Sequence, residues 1–345
     1  MQESKNYGPT VLSLPSKLGP LPFTWPRAAT VFGLFILVVS LFTSCGPRKP
    51  SGGNGPVQRA FPRVEVPGIY VEEGAQMEWL ANHYWDKFLA PAAAVADTLN
   101  GVTRDALDQE MGMFVSIVGT LPLSAGQKAV GRFGEQLETF LKEVPEAGPA
   151  TFRNLSELLS HYLYDPNSPV RCEDLYLPFV SRFAASDALD AARRSRFEWE
   201  ARMCSLNRIG EVATDFSFID LAGKTRTMHS IKAEYLVLIF GNPDCTACRD
   251  LTDQMTADPD IAALVSSKRV IVADIFIDPE IDIWKSKADT YPKSWINGYD
   301  PSMVIRSDMI YDVRAIPSIY LLDSSKRVLI KDATTDALLA YLSRL

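Results

Sequence analysis

A Cys-x-x-Cys pair stands where an apolar strand hands over to a helix, and no other stretch limits this chain's fold so much. Tyr235 to Phe240 is a run of strand-forming apolar residues leading straight into Gly241-Asn242-Pro243-Asp244-Cys245-Thr246-Ala247-Cys248. A helical pattern follows, with Leu251 and Met255 four residues apart and Arg249, Asp250 and Asp253 between them. At a helix start, unpaired backbone N–H groups and the helix dipole favour a thiolate on the first cysteine. The second lies one turn on, near enough to close a disulfide. Structural zinc would need two more ligands, and Cys172, Cys204 and His229 each stand alone. The pair therefore reads as redox chemistry. Cys245 attacks a substrate disulfide, and Cys248 resolves the mixed disulfide that forms.

No metal or organic cofactor is needed for that exchange. The chain shows neither a phosphate-binding glycine loop nor a Ser–His–acid motif. Its net charge is −7, without a basic cluster, which argues against nucleic acid as a partner. The expected partners are protein disulfides and an upstream electron donor.

At 345 residues the chain is long for one domain, at roughly 150 residues per domain. Residues 1–44 read as a polar, Pro-rich leader followed by the apolar run Ala28 to Phe42, about 15 residues. That is short of the ~20 a membrane-spanning helix needs and fits a signal-peptide core. Leu41-Phe42-Thr43-Ser44-Cys45 then resembles a bacterial lipobox, which implies lipidation of Cys45 and a membrane contact through that lipid. An uncleaved anchor ending by chance at Cys45 is the other reading. Both place the rest of the chain outside the cytoplasmic membrane, where disulfides persist. Residues 45–66 have the Gly, Pro and Ser content of a tether. No acidic run follows Cys45, so the periplasmic face of the outer membrane is the expected address.

From 67 to 207 the apolar period is 3.6, which predicts an all-α domain. Met77, Leu80, Ala81, Tyr84, Trp85 and Phe88 share a first helix face, and Thr103 can cap a second helix. Ser124 opens a third, closed by Pro145 and Gly148, and a fourth stops at Asp165-Pro166. The aromatic stripes read as core, and His83 and His161 as structural residues without partners. Asn82 to Phe88 and Tyr162 to Pro169 resemble a helical domain of unknown function that precedes thioredoxin-like domains in bacterial lipoproteins. That resemblance implies a fold and a neighbour but no activity.

Residues 208–345 present strand Phe216–Leu221, a turn at Gly223, strand 235–240, the Cys-x-x-Cys helix, a short helix 260–265 and strand 270–277. Val270 to Ile277 reads as a continuous apolar run, as in a central strand buried on both faces. After an intervening segment, 278–307, come strand 318–322, a turn, strand 327–331 and a final helix 336–345. This order is that of an α/β thioredoxin-like domain, a mixed sheet flanked by helices. The Gly210-x-x-Ala213-x-x-Phe216 opening, the cysteine pair and Ala315-Ile316-Pro317 resemble the TlpA and ResA branch of thioredoxin-like proteins. The resemblance implies a cis Pro317 facing the cysteines, with the Ile316 backbone pairing with a substrate strand. It also marks departures. Ile239 stands where thioredoxin carries a buried acid, leaving proton removal from Cys248 to water or another group. Asp244 replaces the usual Trp and opposes a thiolate at Cys245. The competing class is a binding lipoprotein whose helical domain grips a partner and whose thioredoxin-like fold is scaffold.

Overall fold

The computed structural model describes residues 58–95 and 99–345. The apolar run 28–42, Cys45 and residues 46–57 of the expected tether lie outside the described residues.

Among the described residues, six α-helices build the first half: α1 (Glu73–His83), α2 (Arg104–Thr120), α3 (Leu123–Glu143), α4 (Gly148–Leu163), α5 (Glu173–Ala184) and α6 (Ala191–Cys204). The Thr103 hydroxyl caps α2 by accepting from the Ala106 N–H at 3.2 Å, and Asp190 caps α6 in the same way. The helix expected to open at Ser124 starts at Leu123 behind Pro122, whose side chain makes no cap bond. Gly148 begins α4 rather than closing α3. A Cβ added there would lie 3.0 Å from Leu141 Cα and the Phe140 carbonyl oxygen, so the close approach to the end of α3 favours glycine.

The aromatic stripes are core. Trp85 sits at the centre, with ring centroids 5.8 Å from Phe114 and 5.0 Å from Phe133, and Phe133 stacks on Phe179. Because α1 ends at His83, Tyr84, Trp85 and Phe88 reach this core from a turn and not from the helix face. Both histidines do have partners. His83 Nδ1 is 2.7 Å from Asp86, and its ring stacks on Trp79; His161 lies 3.5 Å from Asp165. Residues 59–65, expected within the tether, are docked on the helices instead. Phe61 packs on Trp85 and Phe88, while Arg63 pairs with Glu110 at 2.7 Å.

The second half is one seven-stranded sheet in the order β2-β1-β5-β4-β3-β6-β7. Its strands are β1 (Ser217–Asp220), β2 (Thr225–Thr227), β3 (Tyr235–Gly241), β4 (Val270–Phe276), β5 (Ile296–Tyr299), β6 (Ser318–Asp323) and β7 (Val328–Ile330). β3, β4 and β5 run parallel, and β6 lies antiparallel beside β3. Helices α7 (Thr246–Ala257), α8 (Pro259–Ser266) and α11 (Thr335–Leu342), with short α9 (Ile281–Ser286) and α10 (Val304–Ser307), complete it. Apolar cores lie on both faces, one around Phe216, Phe240 and Tyr311, the other around Leu251, Ile319 and Leu338. The segment 278–307 is not merely intervening, since it supplies β5, the strand that joins β1 to the parallel set. Its Ile-Asn-Gly-Tyr sequence carries neither alternation nor β-branched bulk after Ile296, so it has no strand signal.

Gly298 of β5 faces Phe218 so closely that an added Cβ would lie 2.5 Å from its ring. Gly298→Ala should therefore destabilise the protein by about 1–3 kcal/mol through overpacking. Urea midpoints of parent and variant check this, and equal midpoints would refute the packing assigned to β5.

Candidate active site

β3 ends at Gly241, and α7 begins five residues later with Cys245 as its N-cap. The Cys245 sulfur takes the part of a capping oxygen, accepting from the Cys248 N–H at 3.2 Å. Cys245 is partly exposed, while Cys248 is 7% exposed behind it. Both are free thiols. Burial, together with the hydrogen bond to Cys245, pushes the Cys248 thiol well above its ordinary value. The outer thiol is thus the reachable one, and the inner one holds its proton.

The Ile316-Pro317 bond is cis, and the loop that contains it brings Ile316 against the pair. The Cys245 thiol donates to the Ile316 carbonyl at 3.6 Å. Neither the N–H nor the C=O of Ile316 bonds to another main-chain group among the described residues. This is an open backbone edge beside the exposed sulfur. The structure brings together Cys245, Cys248, Ile316 and Pro317, whereas Cys45 lies outside the described residues.

Asp274 is the residue that sequence reading missed. It lies in the middle of β4, directly across the ladder from Ile239, and is 5% exposed. The run Val270–Ile277 is therefore not continuously apolar. Oδ1 of Asp274 has no hydrogen-bond partner among the described residues, and desolvation pushes the carboxyl up to about 7. A Cβ built on Gly241 would lie 3.4 Å from that oxygen and 3.5 Å from Cys248 Sγ. Acid and thiol border one small gap that only glycine leaves open. Tyr291 is half-buried near both, and desolvation, followed by the charges of Asp274 and Cys248, pushes its phenol above the usual value. The sequence does contain the signal, a lone acid inside an otherwise apolar central strand.

The rim differs from expectation in one respect. Asp244 does not oppose Cys245 unaided, because Lys287 pairs with it at 3.4 Å. Arg249 lays its guanidinium on the same loop, donating to the Pro243 carbonyl at 3.0 Å and to Thr246 Oγ1 at 3.1 Å. Asn242 donates to Asp278 at 2.6 Å, which in turn pairs with Arg306 at 2.8 Å. The segment after β4 is thereby tied across the mouth of the site. Cys172 and Cys204, in the helical half, are both free thiols and are not bridged to each other.

A seven-stranded mixed sheet flanked by helices, with Cys-x-x-Cys at a helix start against a cis-proline loop, defines the thioredoxin-like class. Residues 38–207 match a family described as a domain of unknown function, DUF5106. The crystal structure of a thioredoxin-like protein from Bacteroides caccae ATCC 43185 is 33% identical to this chain. It matches over 83% of this chain and 99% of its own, with a TM-score of 0.74. The C-terminal domain of an uncharacterized protein from Bacteroides fragilis NCTC 9343 is 39% identical over 40% of this chain and 98% of its own, with a TM-score of 0.39. A conserved protein of unknown function from Bacteroides fragilis is 36% identical over 39% and 98%, with a TM-score of 0.38. No curated protein matches. The chain belongs to the thioredoxin-like proteins, in the arrangement that sets a helical domain ahead of the thioredoxin-like one.

Asp274 makes stability depend on pH. An unfolded aspartate titrates near ~3.9. With the folded value raised to about 7, the folded state holds the proton more tightly. The stability drawn from the neutral acid is full below pH ~4 and is lost as pH rises through ~7. Asp274→Asn is neutral throughout, so its stability relative to the reduced parent should rise by on the order of 3 kcal/mol between pH 5 and pH 8. Urea melts at the two pH values decide, and identical pH slopes for both proteins would remove the buried acid from the site's account.

Proposed function

We propose that this chain is an extracytoplasmic thiol–disulfide oxidoreductase, anchored by a lipid on Cys45, that reduces disulfides in protein substrates. The observation that carries the reading is the pairing of a partly exposed Cys245, 3.6 Å from an Ile316 carbonyl that has no main-chain partner, with a buried Cys248 facing an unpartnered acid. A scaffold would need none of these.

A substrate strand passing the site pairs with the Ile316 backbone and lays its disulfide on Cys245. The Cys245 thiolate attacks one substrate sulfur, the substrate S–S bond breaks, and the other substrate sulfur leaves as a thiolate and takes up a proton. Cys248 then gives its proton to Asp274, and its sulfur attacks Cys245 Sγ. The mixed disulfide breaks, and the second substrate sulfur leaves and is protonated in turn. Two electrons pass to the substrate, which becomes a dithiol, while the Cys245–Cys248 pair is oxidised to a disulfide. An upstream dithiol donor returns the pair to its reduced state. Asp274, poised near 7, accepts a proton more readily than bulk water does, in a gap that Gly241 keeps clear.

The address outside the cytoplasmic membrane is supported by sequence: the apolar run 28–42, the small residues before Cys45 and the absence of an acidic run after it. Cys45→Ala should give a protein that is no longer acylated and leaves the membrane fraction or keeps its leader. A variant that fractionates and migrates like the parent would refute lipidation.

Removing the resolving thiol should prolong the mixed disulfide. Cys248→Ala is expected to accumulate covalent partner adducts on non-reducing gels, and adding Cys245→Ala should abolish them. A binding lipoprotein would instead keep its partners when both cysteines are gone. Partners retained by the double variant, with none trapped by the single one, would overturn the oxidoreductase reading.

A further inference from the structure

The loop that presents Ile316 holds almost none of its own shape. Among the described residues, 309–317 form no hydrogen bond between their main-chain groups and other main-chain groups. Its first part is fixed by side chains of the thioredoxin-like half and the linker: Tyr311 donates to the Thr214 carbonyl at 2.6 Å, and Asn207 donates to the Ile310 carbonyl at 2.8 Å. From Asp312 onward the helical domain adds anchors of its own. Tyr164 at the end of α4 donates to Asp312 at 3.2 Å, and its ring lies 4.1 Å under the Arg314 guanidinium. Glu173, the first residue of α5, accepts from Arg314 at 2.6 Å.

The strand side of the loop is clamped by the same cluster. Arg314 Nη2 also reaches Asp332 at 2.7 Å, and Asp332 accepts from Ser318, the residue after Pro317, at 3.2 Å. Arg171 of the helical domain holds Asp332 at 3.1 Å and the Ala333 carbonyl at 2.8 Å. The other oxygen of Glu173 lies 2.6 Å from Lys331. Glu173, Asp312, Asp332, Lys331 and Ser318 are all at least nine-tenths buried. A buried guanidinium shared between carboxylates has one geometry, and Arg314 stands two residues before Ile316.

We propose that the helical domain positions the substrate edge, with Glu173 and Tyr164 setting the Ile316 backbone through Arg314 and Asp312. This rests on the oxidoreductase reading and gives the helical domain a part in it. Glu173 and Tyr164 are positioning residues and touch neither cysteine. β-Augmentation requires backbone groups held within a few tenths of an ångström, so a loosened loop lowers substrate affinity before it affects sulfur chemistry.

The test uses the full chain and two probes, the first turned over with dithiothreitol as reductant and the second added to pre-reduced protein freed of dithiothreitol. A cystine-bridged peptide must dock on the edge, whereas dithiobis-nitrobenzoate needs only an exposed thiolate. Glu173→Gln should raise KM for the peptide about tenfold with kcat unchanged, and leave the dithiobis-nitrobenzoate rate within about twofold of the parent. Tyr164→Phe, which keeps the ring under Arg314, should shift KM the same way by about threefold, and it decides the matter if Glu173→Gln does not fold. Amide hydrogen exchange across 312–317 should quicken in both variants. Unchanged KM in a folded variant overturns the proposal. So does an equal loss toward both probes, which would make the cluster a general brace. A parent inert toward both probes overturns the oxidoreductase reading instead, and the exchange comparison then still decides whether the helical domain holds the loop.

Discussion

A carboxyl group taken out of water without a hydrogen-bond partner loses several kcal/mol of hydration unless it keeps its proton. Asp274 is in that position, at the centre of a parallel strand with its Oδ1 unpartnered. Much of the surrounding structure follows from it. Gly241 leaves clear the space where a Cβ would touch both the acid and the Cys248 sulfur. Ile239, across the ladder, can be apolar because the acid has moved one strand over. The segment between β4 and β5 must cover the gap, which it does with Tyr291 and with ion pairs across the rim. A proton acceptor near neutrality is obtained at the expense of stability above pH 7, the usual bargain of a reactive site.

The cluster around Glu173 follows the opposite logic. Its carboxyl is as deeply buried as that of Asp274, and burial likewise raises it to about 7, yet it has two cations at 2.6 Å, Arg314 and Lys331. Desolvating such ions cancels most of their attraction, so the cluster adds little net stability, although breaking one pair would cost about 3–5 kcal/mol. What it provides is definition. Hydrophobic contacts alone could let two domains slide, whereas a forked guanidinium held between Glu173 and Asp332 admits one register. Lys331 strengthens this by donating to the carbonyls of Cys204 and Leu206, where α6 ends and the linker begins.

Much of this architecture was legible in the sequence, for reasons specific to each element. The helices of the first half announce themselves because their cores are large aromatics at 3.6 spacing, and Thr103 and Asp165-Pro166 mark ends with chemistry that has few alternatives. β3 and β6 are legible as apolar runs beside the cysteine pair and Pro317. β2 and β5 were not, since three-residue and four-residue strands with polar or glycine centres are set by their neighbours rather than by propensity. Docking of Phe61 and Arg63 was hidden by the Gly- and Pro-rich composition around them. Asp274 was visible but was averaged into its hydrophobic context. The interface cluster could not be read at all, because Glu173 and Arg314 lie 141 residues apart in sequence.

The two buried acids divide the molecule's work between its halves. An acid that is to exchange a proton must lack a strong cationic partner, since pairing would hold it ionised and remove its use near neutral pH. An acid that is to fix geometry must have such partners, since without them it would protonate and release its neighbours. Asp274 meets the first condition inside the thioredoxin-like sheet. Glu173, at the start of α5, has the partners of the second, although burial raises its carboxyl to about 7 as well. The loop that must be held also lacks backbone bonds of its own, so the thioredoxin-like half would present Ile316 with less definition alone than with α4 and α5 against it. In the proposed reading, chemistry and positioning therefore fall to different halves of the chain.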